Sequence, residues 1–141
     1  MEFLPLAKKI VDLRISTRLA CMCEEGDKAL ISLKTKMLHI LSQSERITPP
    51  EIIARLKILK PNLTAMSKEM EEEGLIVRTP NLLDRRSITY TLTVEGAKYL
   101  SDRLNRITAS LKGIFDAQEQ YDSAERKIDE VLDFLSFLRP G

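Results

Sequence analysis

The chain is poor in the residues from which metal sites, disulfide frameworks and nucleophilic active sites are built. Among its 141 residues there is no tryptophan, one histidine and two cysteines. Cys21 and Cys23 are two positions apart, so on a helix their side chains point about 200° away from each other and cannot share a metal ion or form a disulfide together. Packing in the core or between subunits is the preferred interpretation of both cysteines, and a redox role is the alternative.

The single histidine, His39, lies in the apolar stretch Met37–Leu41. In such a stretch a histidine is more often a packed or half-exposed side chain than a metal ligand. Three consecutive glutamates, Glu71–Glu73, do not share one helical face and are expected to be solvated. The sequence contains no Ser/His/Asp, Cys/His or glycine-rich phosphate-binding arrangement. We therefore predict no catalytic residues, no metal site, no cofactor and no enzyme activity.

Long hydrophobic runs are also missing. The longest uninterrupted apolar run has five residues, Leu19–Cys23, whereas a helix needs roughly 20 to span a bilayer. The N-terminus has no basic segment followed by an apolar one, which is the pattern of a secretory signal. We expect a cytoplasmic protein with no membrane partner.

Charge of one sign is not in excess. The chain has 22 basic and 21 acidic side chains, for a net charge of +1, so it is not a generic polyanion binder. Between Thr48 and Lys98 there are eight basic and seven acidic residues, and most of the acidic ones lie in the block Glu69–Glu73. Any nucleic-acid binding must therefore depend on where individual basic residues are placed.

What the chain does contain is a sequence pattern for two short helices joined by a tight turn. Thr48 is predicted to cap a helix that begins at about Pro49 and ends near Ile58, because proline fits the first helical position and Glu51 completes a capping box. Apolar side chains recur in it at helical spacing. They are Ile52, Ile53, Leu56 and Leu59.

The second helix is predicted from Pro61 to about Glu73, with Gly74 as the residue that ends it. Leu63, Met66, Met70 and Leu75 lie on one face, which leaves the other face of the N-terminal half outward. With only three or four residues between the two helices, the pair is typical of a helix-turn-helix, in which the second helix reads DNA. The candidate DNA-contacting residues on and beside this reader helix are Lys60, Asn62, Thr64, Ala65 and Lys68.

After Gly74 the apolar period changes from 3.6 to 2. Leu75–Thr79 and Ile88–Leu92 are predicted to be the two strands of a β-hairpin, separated by turn-forming residues. The tip carries Asp84-Arg85-Arg86, which are further candidate DNA contacts. An arginine pair at an exposed tip is more useful for a narrow minor groove than for a scaffold.

Amphipathic helices are predicted on both sides of this unit. The first runs from about residue 3 to Cys23 and the second from about Lys28 to Leu41. The third is capped by Thr93 and continues through a seam of Leu100, Leu104, Ile107, Leu111 and Ile114. The last runs from a capping box at Asp122–Glu125 towards Leu138. The 3.5-residue spacing of the last two is typical of helix pairing. So much apolar surface on terminal helices predicts a homodimer.

These features together resemble the MarR (multiple antibiotic resistance regulator) family of winged-helix transcription factors. The resemblance is carried by Thr48–Glu51, Met70–Ile76, Asp84–Arg86, Leu92-Thr93 and Gly96. It is specific over about residues 30–105 and architectural outside them. Family members often have Ser or Thr just before the reader helix and a long basic residue on its exposed face. This chain has Leu59-Lys60 and Ala65 there, so its base preference is expected to be its own.

The resemblance implies a mainly α fold with a small β-hairpin wing, that is, a winged helix-turn-helix flanked by N- and C-terminal dimerisation helices. It implies a single domain over residues 1–141, with the winged helix-turn-helix at about 28–98 and dimerisation helices at about 3–23 and 94–138. It also implies that Arg86 enters the minor groove of DNA while Asp84 orients it.

The function implied is that of a sequence-specific regulator, in most relatives a repressor, which binds a palindromic stretch of double-stranded DNA as a homodimer. Relatives often release DNA when a small aromatic effector enters a pocket between the dimerisation helices and the winged helix. The alternative is a winged helix that serves as a protein-interaction module and does not bind DNA.

Overall fold

The computed structural model of the chain describes residues 3–19, 31–80 and 87–138. These residues form helices and one two-stranded antiparallel sheet, in the order α1 Leu4–Leu19, α2 Leu33–Ser42, α3 Pro49–Leu56, α4 Lys60–Glu72, β1 Ile76–Pro80, β2 Ile88–Leu92, α5 Val94–Lys112 and α6 Gln118–Phe137. The predicted mainly α fold with a β-hairpin is therefore confirmed. Cys21, Cys23 and the predicted end of the first helix near Cys23 lie outside the described residues.

The helix α2 starts later than the sequence pattern predicts. Ile31 and Ser32 are not helical, and the helix begins at Leu33 because the Ser32 hydroxyl caps it, accepting a hydrogen bond from the Thr35 backbone N–H at 3.2 Å. The prediction of a start at about Lys28 is wrong because it overlooked this local cap. The inward face of α2 includes Met37, Leu38 and Leu41, which are buried.

The helix α3 begins at Pro49 as predicted, but Thr48 does not cap its backbone. The Thr48 hydroxyl instead donates to Glu51 Oε1 at 3.0 Å. Pro49 and Pro50 have no N–H groups, so two of the four unpaired donors of an ordinary helix start do not exist here. The start of the helix therefore depends on the prolines rather than on a cap.

The helix α3 ends earlier than predicted. Lys57 adopts the left-handed conformation with φ 54°, and its N–H donates to the Ile53 carbonyl at 2.8 Å, so the helix ends at Leu56 rather than near Ile58. Since the helical spacing stops there, Leu59 does not join the apolar face and is 70% exposed. Three residues, 57–59, separate α3 from α4, which confirms the helix-turn-helix spacing.

The end of α4 confirms the role predicted for Gly74. This glycine has φ 77°, a backbone conformation that costs other residues free energy. Its N–H donates to the Glu71 carbonyl at 3.0 Å, and the Leu75 N–H donates to the Met70 carbonyl at 2.9 Å. This pair of bonds is the Schellman motif, and it turns the chain directly into β1.

The two strands pair in antiparallel register from Ile76 opposite Leu92 to Pro80 opposite Ile88. A short bridge adds Ile47, whose carbonyl accepts a hydrogen bond from the Tyr90 N–H at 3.0 Å. The middle of β2 is thereby tied to the segment just before α3. The buried core joins α2, α3, α4, the hairpin and α5, and consists of Met37, Leu38, Ile40, Leu41, Ile47, Ile52, Leu63, Met70, Leu75, Ile76, Tyr90 and Leu100.

Thr93 caps α5 as predicted and also contacts the end of α4. Its Oγ1 accepts a hydrogen bond from the Gly96 N–H at 2.9 Å and donates to the Gly74 carbonyl at 2.6 Å. One hydroxyl group therefore satisfies a donor at the start of one helix and an acceptor just after another.

Replacement of Thr93 by valine is expected to lower the free energy of unfolding by about 1 kcal/mol, because a capping hydrogen bond is lost. Thr48→Val is the matched control, since the Thr48 hydroxyl bonds only to an exposed carboxylate, and it is expected to cost less than about 0.5 kcal/mol. Urea denaturation followed by circular dichroism measures both. Equal losses in the two variants would contradict the capping role of Thr93.

The chain divides into two compact units, Met1–Arg106 and Ile107–Gly141. In the second, α6 begins at Gln118, one turn before the start predicted from Asp122–Glu125. The Gln120 side-chain oxygen accepts a hydrogen bond from the Asp116 N–H at 2.9 Å, so a glutamine reaches back to the helix start. Asp122 lies within the helix and accepts a hydrogen bond from Gln118 Nε2 at 3.0 Å. The prediction that Asp122 and Glu125 form a capping box at the helix start is therefore wrong.

The helix α6 has 20 residues and none of them is buried. Exposed apolar side chains recur along one stripe at Ile128, Val131, Leu132 and Leu135, and Phe134 and Phe137 are exposed outside it. Phe3, just before α1, and Leu6 and Ile10 within α1 are likewise exposed. None of the helices within residues 3–19, 31–80 and 87–138 is both long and apolar enough to cross a bilayer.

Candidate nucleic-acid interface

The helix α4 presents the predicted face to the outside. Its inner face is fixed by Leu63, Ser67 and Met70, which are all buried. At 100° per residue, the opposite side of the helix is centred on Ala65 and Lys68. All five residues predicted on or beside the reader helix are exposed: Lys60, Asn62, Thr64, Ala65 and Lys68.

A groove of about 650 Å³ lies between α3, the N-terminal half of α4 and the tip-side half of the hairpin strands. Its walls are mostly apolar, and Lys60 and Arg78 add two positive charges. Thr64 lies on its α4 side. The residues lining it are Pro49, Pro50, Ile53, Ala54, Lys60, Leu63, Thr64, Ser67, Arg78, Ser87, Ile88 and Tyr90.

Beneath this groove, two buried hydroxyl groups connect the reader helix to the hairpin. Tyr90 on β2 donates a hydrogen bond to Ser67 Oγ at 3.2 Å, and Ser67 in turn donates to the Thr64 carbonyl at 3.2 Å. Tyr90 and Ser67 are 3% and 2% exposed. A buried chain of this kind fixes the angle between α4 and the hairpin, since an unmade hydrogen bond there is costly.

Ser67→Ala is expected to lower the free energy of unfolding by about 1–3 kcal/mol, because the buried Tyr90 hydroxyl loses its acceptor. Tyr90→Phe removes the donor instead and is expected to cost about 1 kcal/mol, since Ser67 keeps its bond to the Thr64 carbonyl. The double variant should cost clearly less than the sum. Chemical denaturation of the four proteins tests this double-mutant cycle, and additive losses would contradict the coupling.

A second connection joins the C-terminal end of the reader helix to α2 and α5. Lys34 Nζ lies 2.6 Å from Glu73 Oε2 and 5.0 Å from the centre of the Tyr99 ring. Arg103 Nη2 donates to the Tyr99 hydroxyl at 3.0 Å. Sequence reasoning missed this cluster because its members are up to 69 positions apart and have no local signature.

The acidic half of α4 is exposed, as predicted, but it is partly neutralised. Glu73 pairs with Lys34, and Glu71 lies 4.0 Å from Arg78 on β1. The carboxylates stand at the end of the helix away from Lys60 and Asn62. The positive N-terminal end of the helix and its nearby lysines are therefore the part of α4 suited to phosphate.

The predicted tip residues Asp84, Arg85 and Arg86 lie outside the described residues. The structure shows that β1 ends at Pro80 and that β2 begins at Ile88, which lines the groove. His39 is exposed on α2. Within residues 3–19, 31–80 and 87–138 no cluster of three or more histidine, cysteine or acidic side chains is placed to hold a metal ion.

Comparison with known proteins assigns this part of the chain to a family. The sequence model of the MarR family matches residues 32–88, which include α2, the helix-turn-helix and the first residue of β2. Residues 32–88 are a MarR-family domain. The resemblance inferred from the sequence is therefore confirmed, and the winged helix-turn-helix described above is the fold of this MarR-family domain.

Two curated relatives extend the match beyond the MarR-family domain. The chain is 28% identical over 100 residues to the HTH-type transcriptional regulator PrsX of Escherichia coli, covering 67% of this chain and 60% of PrsX. It is 24% identical over 112 residues to the HTH-type transcriptional repressor YetL of Bacillus subtilis, covering 75% of this chain and 66% of YetL. The match spans less than two thirds of either relative.

Among solved structures, the S. aureus MepR–DNA complex shares the fold. The TM-score is 0.55 at 19% sequence identity, and the alignment covers 72% of this chain and 79% of MepR. At this identity the likeness concerns the arrangement of the backbone, which is that of the winged helix.

Proposed function

We propose that this chain is a regulator of transcription that binds a palindromic operator in double-stranded DNA as a homodimer. The observation that carries the proposal is the outward face of α4, whose N-terminal half is exposed and flanked by lysines while its inner face is packed against the core. Support comes from the names of the relatives, PrsX and YetL, and from a MepR structure of the same fold that holds DNA.

In this proposal α4 lies in the major groove and enters it by its N-terminal end. Lys60 and Lys68 contact phosphate oxygens, while Asn62, Thr64 and Ala65 face base edges. Phosphate contacts fix the position of the protein on DNA, and contacts to bases give it specificity. The buried Tyr90–Ser67 bond would hold the hairpin at a constant angle to the inserted helix.

The wing tip would act in the neighbouring minor groove. Asp84 and Arg86 are two positions apart in the sequence, so both side chains can lie on one face of an extended segment, and a carboxylate can hold a guanidinium in a fixed orientation. Arg86→Ala is accordingly proposed to weaken DNA binding more than Asp84→Ala. Arg85 would contact phosphate only.

The dimer would form through α1, α5 and α6. The helices α1 and α6 expose more apolar surface than a stable monomer commonly does. A second copy of the chain would cover this surface. Two copies related by a twofold axis would place their α4 helices about one turn of DNA apart. The single-domain organisation over residues 1–141, with dimerisation helices at about 3–23 and 94–138, is part of this proposal.

Repression in the cytoplasm, with release by a small aromatic effector, is the regulatory behaviour we propose. YetL is named as a repressor, which supports the first part. The effector is proposed from the sequence resemblance alone. The protein would carry out no catalysis.

The proposal is tested by fluorescence anisotropy with duplexes selected from a random library, titrated at several salt concentrations. Lys68→Ala is expected to weaken binding and to reduce the slope of log K against log salt by about 1 if it contacts one phosphate. Lys98→Ala on α5, also exposed, is the matched control and should leave the slope unchanged. If no duplex is enriched and the wild type shows no salt-dependent binding, the domain is an interaction module.

A further inference from the structure

Short side chains make up the outward face in the N-terminal half of α4. Ala65 lies near its centre, with Thr64 on the side of the groove and Asn62 on the other side. Residues 60–68 include neither arginine nor an aromatic residue. Because these three side chains are short, the helix backbone must come close to the surface that it reads.

Thr64 uses the hydrogen of its hydroxyl group within α4. Its Oγ1 donates to the Lys60 carbonyl four residues earlier at 3.0 Å, a local bond that engages the only hydroxyl hydrogen. The γ-methyl group and the acceptor side of the hydroxyl oxygen remain for contact with a partner. Thr64 therefore offers a methyl group, as Ala65 does, and no free hydroxyl donor.

Asn62 adds one amide group to these two methyl groups. Its side chain is exposed and makes no hydrogen bond within the described part of the chain. A primary amide has both donors and an acceptor, so it can make two hydrogen bonds to one base edge.

We infer that α4 recognises A·T base pairs, with Ala65 and Thr64 against thymine 5-methyl groups and Asn62 bonded to an adenine. The inference rests on the proposed function. In the major groove thymine is the base that carries a methyl group, alanine and threonine methyls contact it, and asparagine pairs with adenine N6 and N7. Guanine is read mostly by arginine or lysine. Lys68 lies farther from the N-terminal end, where we assign it to phosphate.

The test begins with selection of sites from a random duplex library by the full chain. The selected duplex is then compared with the same duplex in which deoxyuridine replaces the thymines of the half-sites, which removes only the 5-methyl groups. Loss of one buried methyl contact should weaken binding about fourfold per contacted thymine. Equal affinity for the two duplexes, or half-sites made of G·C pairs, would overturn the inference while DNA binding stands.

The assignment of individual residues uses Thr64→Ser, which keeps the hydroxyl group and removes the methyl group. This variant should bind the thymine duplex about fourfold more weakly and lose less on the change to deoxyuridine than the wild type does. Thr91→Ser, at an exposed position on β2, is the control and should match the wild type. Deoxyuridine effects of the same size in Thr64→Ser and wild type would overturn the role of Thr64.

Asn62→Ala should lose the preference for adenine at one position of the selected half-site. An unchanged selection profile would overturn that contact. Failure to enrich any sequence with the wild type would be a different result, because it would overturn the DNA binding on which the inference depends.

Discussion

Replacement of Gly96 by alanine is expected to lower the free energy of unfolding by about 3 kcal/mol or more, although alanine is ordinarily the better helix former. Gly96 lies in the first turn of α5, where a Cβ atom would overlap the Leu75 carbonyl oxygen and lie 2.7 Å from Leu92 Cδ1. The carbonyl belongs to the backbone and accepts a hydrogen bond from the Thr93 N–H at 3.1 Å. It cannot move aside without breaking the junction between α4, the hairpin and α5.

Gly74→Ala is the matched control for this prediction. A Cβ atom at Gly74 would meet nothing within 4 Å, so the only cost is the positive φ, roughly 1 kcal/mol for a residue other than glycine. Urea denaturation of both variants separates the steric effect from the conformational one. If Gly96→Ala were no less stable than Gly74→Ala, the close approach of α5 to Leu75 would be contradicted.

The second large effect is expected from Leu63→Ala, which should lower the free energy of unfolding by about 2–5 kcal/mol. Leu63 is 1% exposed and anchors the inner face of α4 in the core. Its removal leaves a cavity under the proposed DNA-reading surface, because close-packed surroundings collapse only partly. DNA affinity measured at a temperature where the variant is still folded would show whether the less well packed helix also binds DNA more weakly.

Leu59→Ala provides an internal standard, since the same atoms are removed four positions away. Leu59 is 70% exposed, and its truncation is expected to change stability by no more than about 0.5 kcal/mol. Comparable losses in both variants would mean that Leu59 is buried in solution, and that the turn after Leu56 differs from the one described.

The sequence was sufficient to predict the elements whose signals are local and strong. Proline at a helix start, glycine at a helix end and the change of period after Gly74 led to the helix-turn-helix and the hairpin within a few residues. Thr93 was predicted as a cap for the same reason. The outward placement of the candidate residues on α4 was predictable, because the apolar side chains Leu63 and Met70 fix the inner face and leave the opposite face to solvent.

The failures concern competition between local groups and contacts between distant ones. Thr48 and Asp122 have the expected cap spacing, but neighbouring prolines and Gln120 determine the helix starts instead. Lys57 in a left-handed conformation is rare for such a residue and has no sequence signal. The Tyr90–Ser67 hydrogen bond depends on the register of the two strands and on the rotation of α4 about its axis. Neither can be predicted from a short stretch of sequence.

The hydroxyl of Thr93 has a mechanical consequence. It bonds to the carbonyl of Gly74, just beyond the end of α4, and to the N–H of Gly96, in the first turn of α5. Because both hydrogen bonds use the same hydroxyl group, a tilt of α5 relative to α4 at that junction would stretch or break at least one of them. A force that tilts α5 is therefore transmitted in part to the end of α4, so the orientation of the proposed DNA-reading surface depends on how α5 is held.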